Sequence, residues 1–231
     1  MITLDDLKSN RDTQITVVCI VFFLIAFPGY FAMKGGDASG SGAMGGVANY
    51  NVNGELTYVQ IADGIEYIAD GETLMIDNLH TDAVDDAEDM NIVGVRVMMS
   101  YGEDESGRGP PCLSQTAADT ITGSATHGEF TGSADGQNGG QNGGHDVVVE
   151  WFNSSMVGAT VSGLSESEIV SQIDSMGAGL GAYSAEISVS AEAGNAPGAC
   201  SRSDNGEEVT YSVELIIFDY TIAPAFDESE L

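Results

Sequence analysis

Apolar residues run without a charge from Ile15 to Met33 (ITVVCIVFFLIAFPGYFAM), and from residue 49 onward they recur in short bursts separated by glycine, asparagine and aspartate. The first rhythm predicts one membrane helix. At about 1.5 Å per residue the run makes about 28 Å of helix, close to the roughly 30 Å hydrocarbon core of a bilayer. A buried helix of a soluble domain usually shows a polar stripe, whereas only Thr16 and Cys19 lean hydrophilic before Pro28. Tyr30 and Phe31 suit the aromatic belt at the lipid interface. Residues 30–33 (YFAM) lack the small-residue site of a cleavable signal, so the expected segment is an uncleaved anchor.

The second rhythm predicts strands. After a Gly/Ser linker (GGDASGSGAMGG at 35–46), strands are expected at 56–61, 65–69 and 73–76, divided by Asp63-Gly64 and Asp70-Gly71 as a meander with tight turns. In 92–101 the two-residue period puts Val93, Val95, Val97, Met99 and Tyr101 on one face and Arg96 on the other. Weaker strands follow at 120–122 and 126–131. Residues 132–144 contain Gln-Asn-Gly-Gly twice in succession with nothing apolar to bury, which predicts a mobile surface loop. Strands resume at 146–153 and 157–161. One soluble helix is expected at 165–176, where Ser165 and Glu168 form a capping box and Ile169, Ile173 and Met176 the buried side. Residues 185–193 alternate cleanly, and in 209–222 the apolar phase slips around Leu215 to Phe218, implying a bulge or a strand buried on both faces. These last two long strands are expected to pair as a hairpin.

The resulting fold class is mainly β: a single N-terminal transmembrane helix, then an antiparallel β-sandwich of jelly-roll or immunoglobulin-like type with one short helix. The divisions are a cytoplasmic tail at 1–14, an anchor at 15–33, a linker at 34–48, an extracytoplasmic domain at 49–226 and an acidic tail at 227–231.

Charge narrows the partners. The chain carries a formal net charge of -30, and beyond Lys34 its only basic side chains besides histidine are Arg96, Arg108 and Arg202. So acidic a surface excludes nucleic acid and anionic lipid headgroups as partners of the domain, while it permits cations. Lys8 and Arg11 before the anchor against Lys34 after it tilt the topology slightly toward an inside amino terminus. Two features agree with an outside domain: Cys112 and Cys200 form an even pair, and Asn153-Ser154-Ser155 is a glycosylation sequon. A Cys112–Cys200 disulfide would close the loop between them, worth about 4 kcal/mol in the loop-entropy picture.

Candidate chemistry is sparse. Asp82, Asp85, Asp86, Glu88 and Asp89 crowd one stretch and form the candidate calcium ligands, although the spacing is not that of an EF-hand loop. His127 and His145 flank the Gly-rich stretch and could converge with Asp146 on zinc, but without local ligand spacing they read as solvated loop residues. Neither Cys112 nor Cys200 is followed by the His and Met of a blue-copper site. No Gly-x-Ser-x-Gly elbow and no phosphate loop is present, so no enzyme class is supported. The function expected is that of a membrane-anchored binding or accessory protein at the cell surface, held by the lipid bilayer and in contact with other surface proteins.

An apolar amino-terminal helix followed by a β-rich head also resembles the layout of type IV pilins and archaellins, which implies a structural filament subunit. That family is cut after a basic residue and a Gly or Ala just before the apolar run. Asn10 to Gln14 supply no such Gly or Ala, and Pro28-Gly29 interrupts the helix.

Overall fold

The computed structural model describes residues 48–103, 105–108, 117–139, 141–194 and 201–225. The expected anchor, both tails, Cys112 and Cys200 lie outside them. Among the described residues the chain is mainly β, with two antiparallel sheets and one α-helix. In chain order the strands are β1 (Ala48–Ala69), β2 (Thr73–His80), β3 (Ile92–Tyr101), β4 (Ser106–Arg108), β5 (Thr120–His127), β6 (Phe130–Gln137), β7 (Gly143–Glu150), β8 (Thr160–Leu164), β9 (Ala182–Ser190), β10 (Ser201–Ser203) and β11 (Gly206–Pro224). The helix α1 spans Glu166–Ile173.

One sheet has the order β7-β3-β11-β1-β8 and the other β2-β9-β5-β6, while β4 and β10 pair as a separate ribbon. Both sheets contribute to one apolar layer in a sandwich-like arrangement. Val95, Val97 and Leu215 of the first sheet meet Ile121, Ala125 and Ile187 of the second, all at most 1% exposed. A smaller core lies on the far side of the first sheet, where Val52, Val93, Ile216 and Phe218 pack with Ile169 and Ile173 of α1.

Strand β11 serves both cores, as the phase slip in its sequence implied. Leu215 and Ile217 belong to the inter-sheet layer, Ile216 and Phe218 to the second core. A register shift between Ile216 and Ile217 in the pairing with β3 accompanies the change. It also corrects the expected face of β3: Val93 packs in the second core and is separated from Val95, Val97, Met99 and Tyr101.

Local turn signals were overridden in several places. Asp63-Gly64 makes no turn, because Asp63 pairs with Ser212 and Gly64 with Tyr211 inside a continuous β1 whose bulge falls between Gln60 and Ala62. Asp70-Gly71 does turn the chain, with Gly71 at φ 75°, but it carries the chain from one sheet to the other. The expected hairpin of the last two long strands does not form, since β9 lies between β2 and β5 while β11 lies between β1 and β3. Much of the expected loop at 132–144 is strand: β6 runs to Gln137 and β7 starts at Gly143.

Helix α1 follows its sequence closely. Ser165 Oγ accepts from the Glu168 amide while the Glu168 carboxylate accepts from the Ser165 amide, the reciprocal bonds of a capping box. Ile169 and Ile173 are buried, but Met176 lies beyond the helix at φ 50° and is 70% exposed.

Candidate metal centre

Four carboxylates meet at one end of the fold. Glu103 follows β3, Asp119 precedes β5, Asp204 lies in the turn between β10 and β11, and Glu207 is the second residue of β11. One oxygen from each lies within 4.8 Å of all the others. Asp119 is 0% and Glu207 1% exposed, so two of the four are withdrawn from water.

The backbone builds this convergence. Ser203 pairs with Ser106 in the β4–β10 ribbon, which brings the β10–β11 turn beside the chain leaving β3. That turn is tight: the Gly206 amide donates to Asp204 Oδ1 at 3.2 Å, and Gly206 adopts φ 139°. A Cβ there would collide with the Ile68 carbonyl oxygen, so glycine is required.

Asn138 stitches the group together. Its Oδ1 accepts from the Asp119 amide at 3.0 Å, and its Nδ2 donates to Asp119 Oδ2 at 2.8 Å and to the Gly102 carbonyl at 3.2 Å. Glu207 Oε1 lies 3.4 Å from the same nitrogen. The Glu192 amide donates to Asp119 Oδ1 at 2.6 Å. Beside the cluster Arg202 donates to Glu105 at 2.9 Å, and both side chains are buried. The Ala117 and Gly194 amides also donate to Glu105.

Electrostatics follow from the spacing. Two carboxylates at that separation repel by about 3.5 kcal/mol at an effective dielectric of about 20, so gathering four of them carries an electrostatic cost. Burial pushes the Glu103 carboxyl above its ordinary range, the Glu105 amide pulls it back, and the charges of Asp119, Asp204 and Glu105 push it further up. Glu103 Oε1 accepts from that amide at 3.0 Å, whereas Oε2 is buried without a hydrogen-bond partner. Oxygen-only donors of this kind suit a hard divalent cation such as calcium.

The sequence-derived candidates fall elsewhere. Asp82, Asp85, Asp86, Glu88 and Asp89 lie on or between two short 3-10 turns, Thr81–Ala83 and Ala87–Asp89, and all five are exposed. Among the described residues no three of them bring ligand atoms together as the 103/119/204/207 group does. Four of them, Asp82, Asp86, Glu88 and Asp89, line an open cavity with His80 and Leu180. Asn153 is half-buried after β7; its Nδ2 donates to Gln172 Oε1 at 3.0 Å and its Oδ1 accepts from Ser155 at 2.6 Å. His127 and His145 are not solvated loop residues: His127 ends β5 at 5% exposure, and His145 sits in β7 with both ring nitrogens engaged. Neither belongs to a ligand group with Asp146 among the described residues.

The four-carboxylate group had no signal in the sequence. Its members come from three separate stretches, and with 36 acidic residues in the chain nothing in residue type singles them out. The chain matches no protein-family model and no curated protein sequence. Among the described residues no helix is long and apolar enough to cross a membrane, and the run 15–33 lies outside them.

Proposed function

We propose that this chain is a single-pass membrane protein whose extracytoplasmic β-head, a sandwich of jelly-roll or immunoglobulin-like type, serves in binding or as an accessory part of a cell-surface assembly. The observation that carries the reading is the uncharged run 15–33, joined to a separate head by a Gly/Ser linker that ends where β1 begins at Ala48. The proposed Cys112–Cys200 disulfide gains support from the β4–β10 ribbon. Arg108 pairs with Ser201, so the residue that follows Cys200 lies beside the residue from which the chain runs on toward Cys112. Asn153 as a glycan acceptor fits the same compartment.

Membrane extraction and thiol labelling test this together. The full-length chain is expected to stay in the carbonate-washed membrane pellet, and Cys112 and Cys200 to resist alkylation until reduced. Recovery of the intact chain as a freely soluble monomer, or two freely alkylated thiols in the folded head, would overturn it. A mature amino terminus lying between residues 10 and 16 would favour the filament subunit instead.

Calcium is assigned, within this reading, to the cluster of Glu103, Asp119, Asp204 and Glu207 and not to the exposed 82–89 stretch, because four carboxylates converge there and Glu103 Oε2 is buried without a hydrogen-bond partner. Saturating calcium, at about a hundred times its dissociation constant, is expected to add about 2.7 kcal/mol, or roughly 5 °C or more in Tm. Glu103→Gln with Asp204→Asn should abolish the rise. An unchanged Tm in the parent protein would remove calcium, and a rise surviving in the double variant would move the site elsewhere.

A further inference from the structure

An asparagine followed by glycine exposes its side-chain amide to attack by the next backbone nitrogen, because glycine has no Cβ to obstruct the approach. The chain holds four such pairs: Asn53-Gly54, Asn138-Gly139, Asn142-Gly143 and Asn205-Gly206. Two of them share the same five-residue setting, Gly-Gln-Asn-Gly-Gly, at 136–140 and again at 140–144. Local sequence therefore gives Asn138 and Asn142 one intrinsic reactivity, and only the fold can separate them.

We propose that Asn142 is a site of backbone-assisted deamidation, and that the bonds around Asn138 protect it from the same reaction. The Gly143 nitrogen gives its proton to water and bonds to Asn142 Cγ. The Cγ–Nδ2 bond breaks, and the departing nitrogen takes up a proton and leaves as ammonia. Water then opens the cyclic imide at one of its two carbonyls. One opening leaves an aspartate in the normal chain, and the other an isoaspartate whose backbone runs through Cγ. Water is consumed, ammonia is released, and nothing is oxidised or reduced.

The fold treats the four pairs differently. Asn142 is exposed, and Gly143 is the first residue of β7, opposite Tyr101 at the end of β3. The attacking nitrogen thus sits at the end of a ladder, where pairing frays most readily. Asn138 is 4% exposed, and its Nδ2 donates to Asp119 Oδ2 at 2.8 Å and to the Gly102 carbonyl at 3.2 Å. Both bonds must break before its Cγ can turn toward the Gly139 nitrogen. The Asn138 carbonyl also accepts from the Gln141 amide at 3.0 Å, which restrains the backbone rotation that the attack needs. At the third pair the Gly206 amide already donates to Asp204 Oδ1, and the Asn205 carbonyl accepts from the Asp70 amide at 2.8 Å. The fourth lies inside β1, where Asn53 pairs with Thr221 and Gly54 with Tyr220. Conversion at Asn142 adds a charge that faces water. At Asn138 it would replace the donor to Asp119 by a carboxylate oxygen, so a head that reacts there cannot remake the tie.

Full-length protein kept in detergent in mildly alkaline oxygen-18 water, then digested and sequenced by tandem mass spectrometry, reads each site by the label that ring opening introduces. In the folded protein Asn142 should convert at least about tenfold faster than Asn138, since the buried amide must first lose its partners. In concentrated urea the two should convert at a common rate, because their flanking residues are the same. The unfolded chain thus supplies the reference for the folded one, and no variant is needed. A native ratio below about tenfold would show that the bonds around Asn138 do not protect it. Unequal rates in urea would place the difference in local sequence, and folded Asn142 converting as slowly as Asn53 and Asn205 would show that the ladder end gives no access. Each of these results overturns the proposal.

Discussion

Replacing Asn138 by alanine is expected to destabilise the head by about 4 kcal/mol, measured by urea unfolding at fixed pH and ionic strength. Asn138 is 4% exposed, and its amide bonds both the main chain and the side chain of Asp119 while also reaching Gly102. Truncation would strand a buried N–H, a carbonyl and a carboxylate oxygen, each worth about 1 to 3 kcal/mol when left unpartnered. It would also remove a donor from the neighbourhood of four mutually repelling carboxylates. Asn142→Ala is the control: Asn142 occupies the same place in the second Gln-Asn-Gly-Gly copy but is exposed, and its loss should stay within about 0.5 kcal/mol. Equal losses at the two positions would mean that Asn138 is not the tie described here.

That pair of asparagines shows where sequence reading stops. The two tetrapeptides are identical, yet one asparagine lies beneath the chain leaving β3 and the other faces water. No local rule separates them, because what differs is the tertiary neighbour. The same holds for the four carboxylates, whose convergence is a property of how the end of β3 meets the starts of β5 and β11 and not of residue type.

Features set by nearest neighbours were legible. The alternation in β3 and β9, the Ser165–Glu168 capping box and the two-faced apolar run of β11 can each be read within a dozen residues. Strand pairing was not legible. Asp63-Gly64 has the composition of a hairpin turn, but paired backbone groups along β11 hold it extended. A turn saves a few residues of chain entropy, whereas interrupting β1 would leave part of the β11 ladder unpaired. The ladder wins, and the turn propensity survives only as a site near the bulge at Gln60 and Ala62.

Phe218→Ala is expected to cost about 4 kcal/mol, and to act unevenly across the head. Phe218 is 0% exposed on the α1 side of β11, with Phe152 and Tyr220 each 5.6 Å away between ring centroids. Its backbone is fixed by the Asn91 carbonyl, at 3.0 Å from the Phe218 amide, so the strand cannot shift inward to fill the gap. The cavity therefore opens beneath Ile169 and Ile173, and the contact most weakened is that between α1 and the first sheet. Hydrogen exchange should show α1 amides losing protection while β5 and β9, across the inter-sheet layer, keep more of theirs. Uniform loss over both regions would mean that the two cores open as one unit, and that β11 joins them mechanically instead of serving each separately.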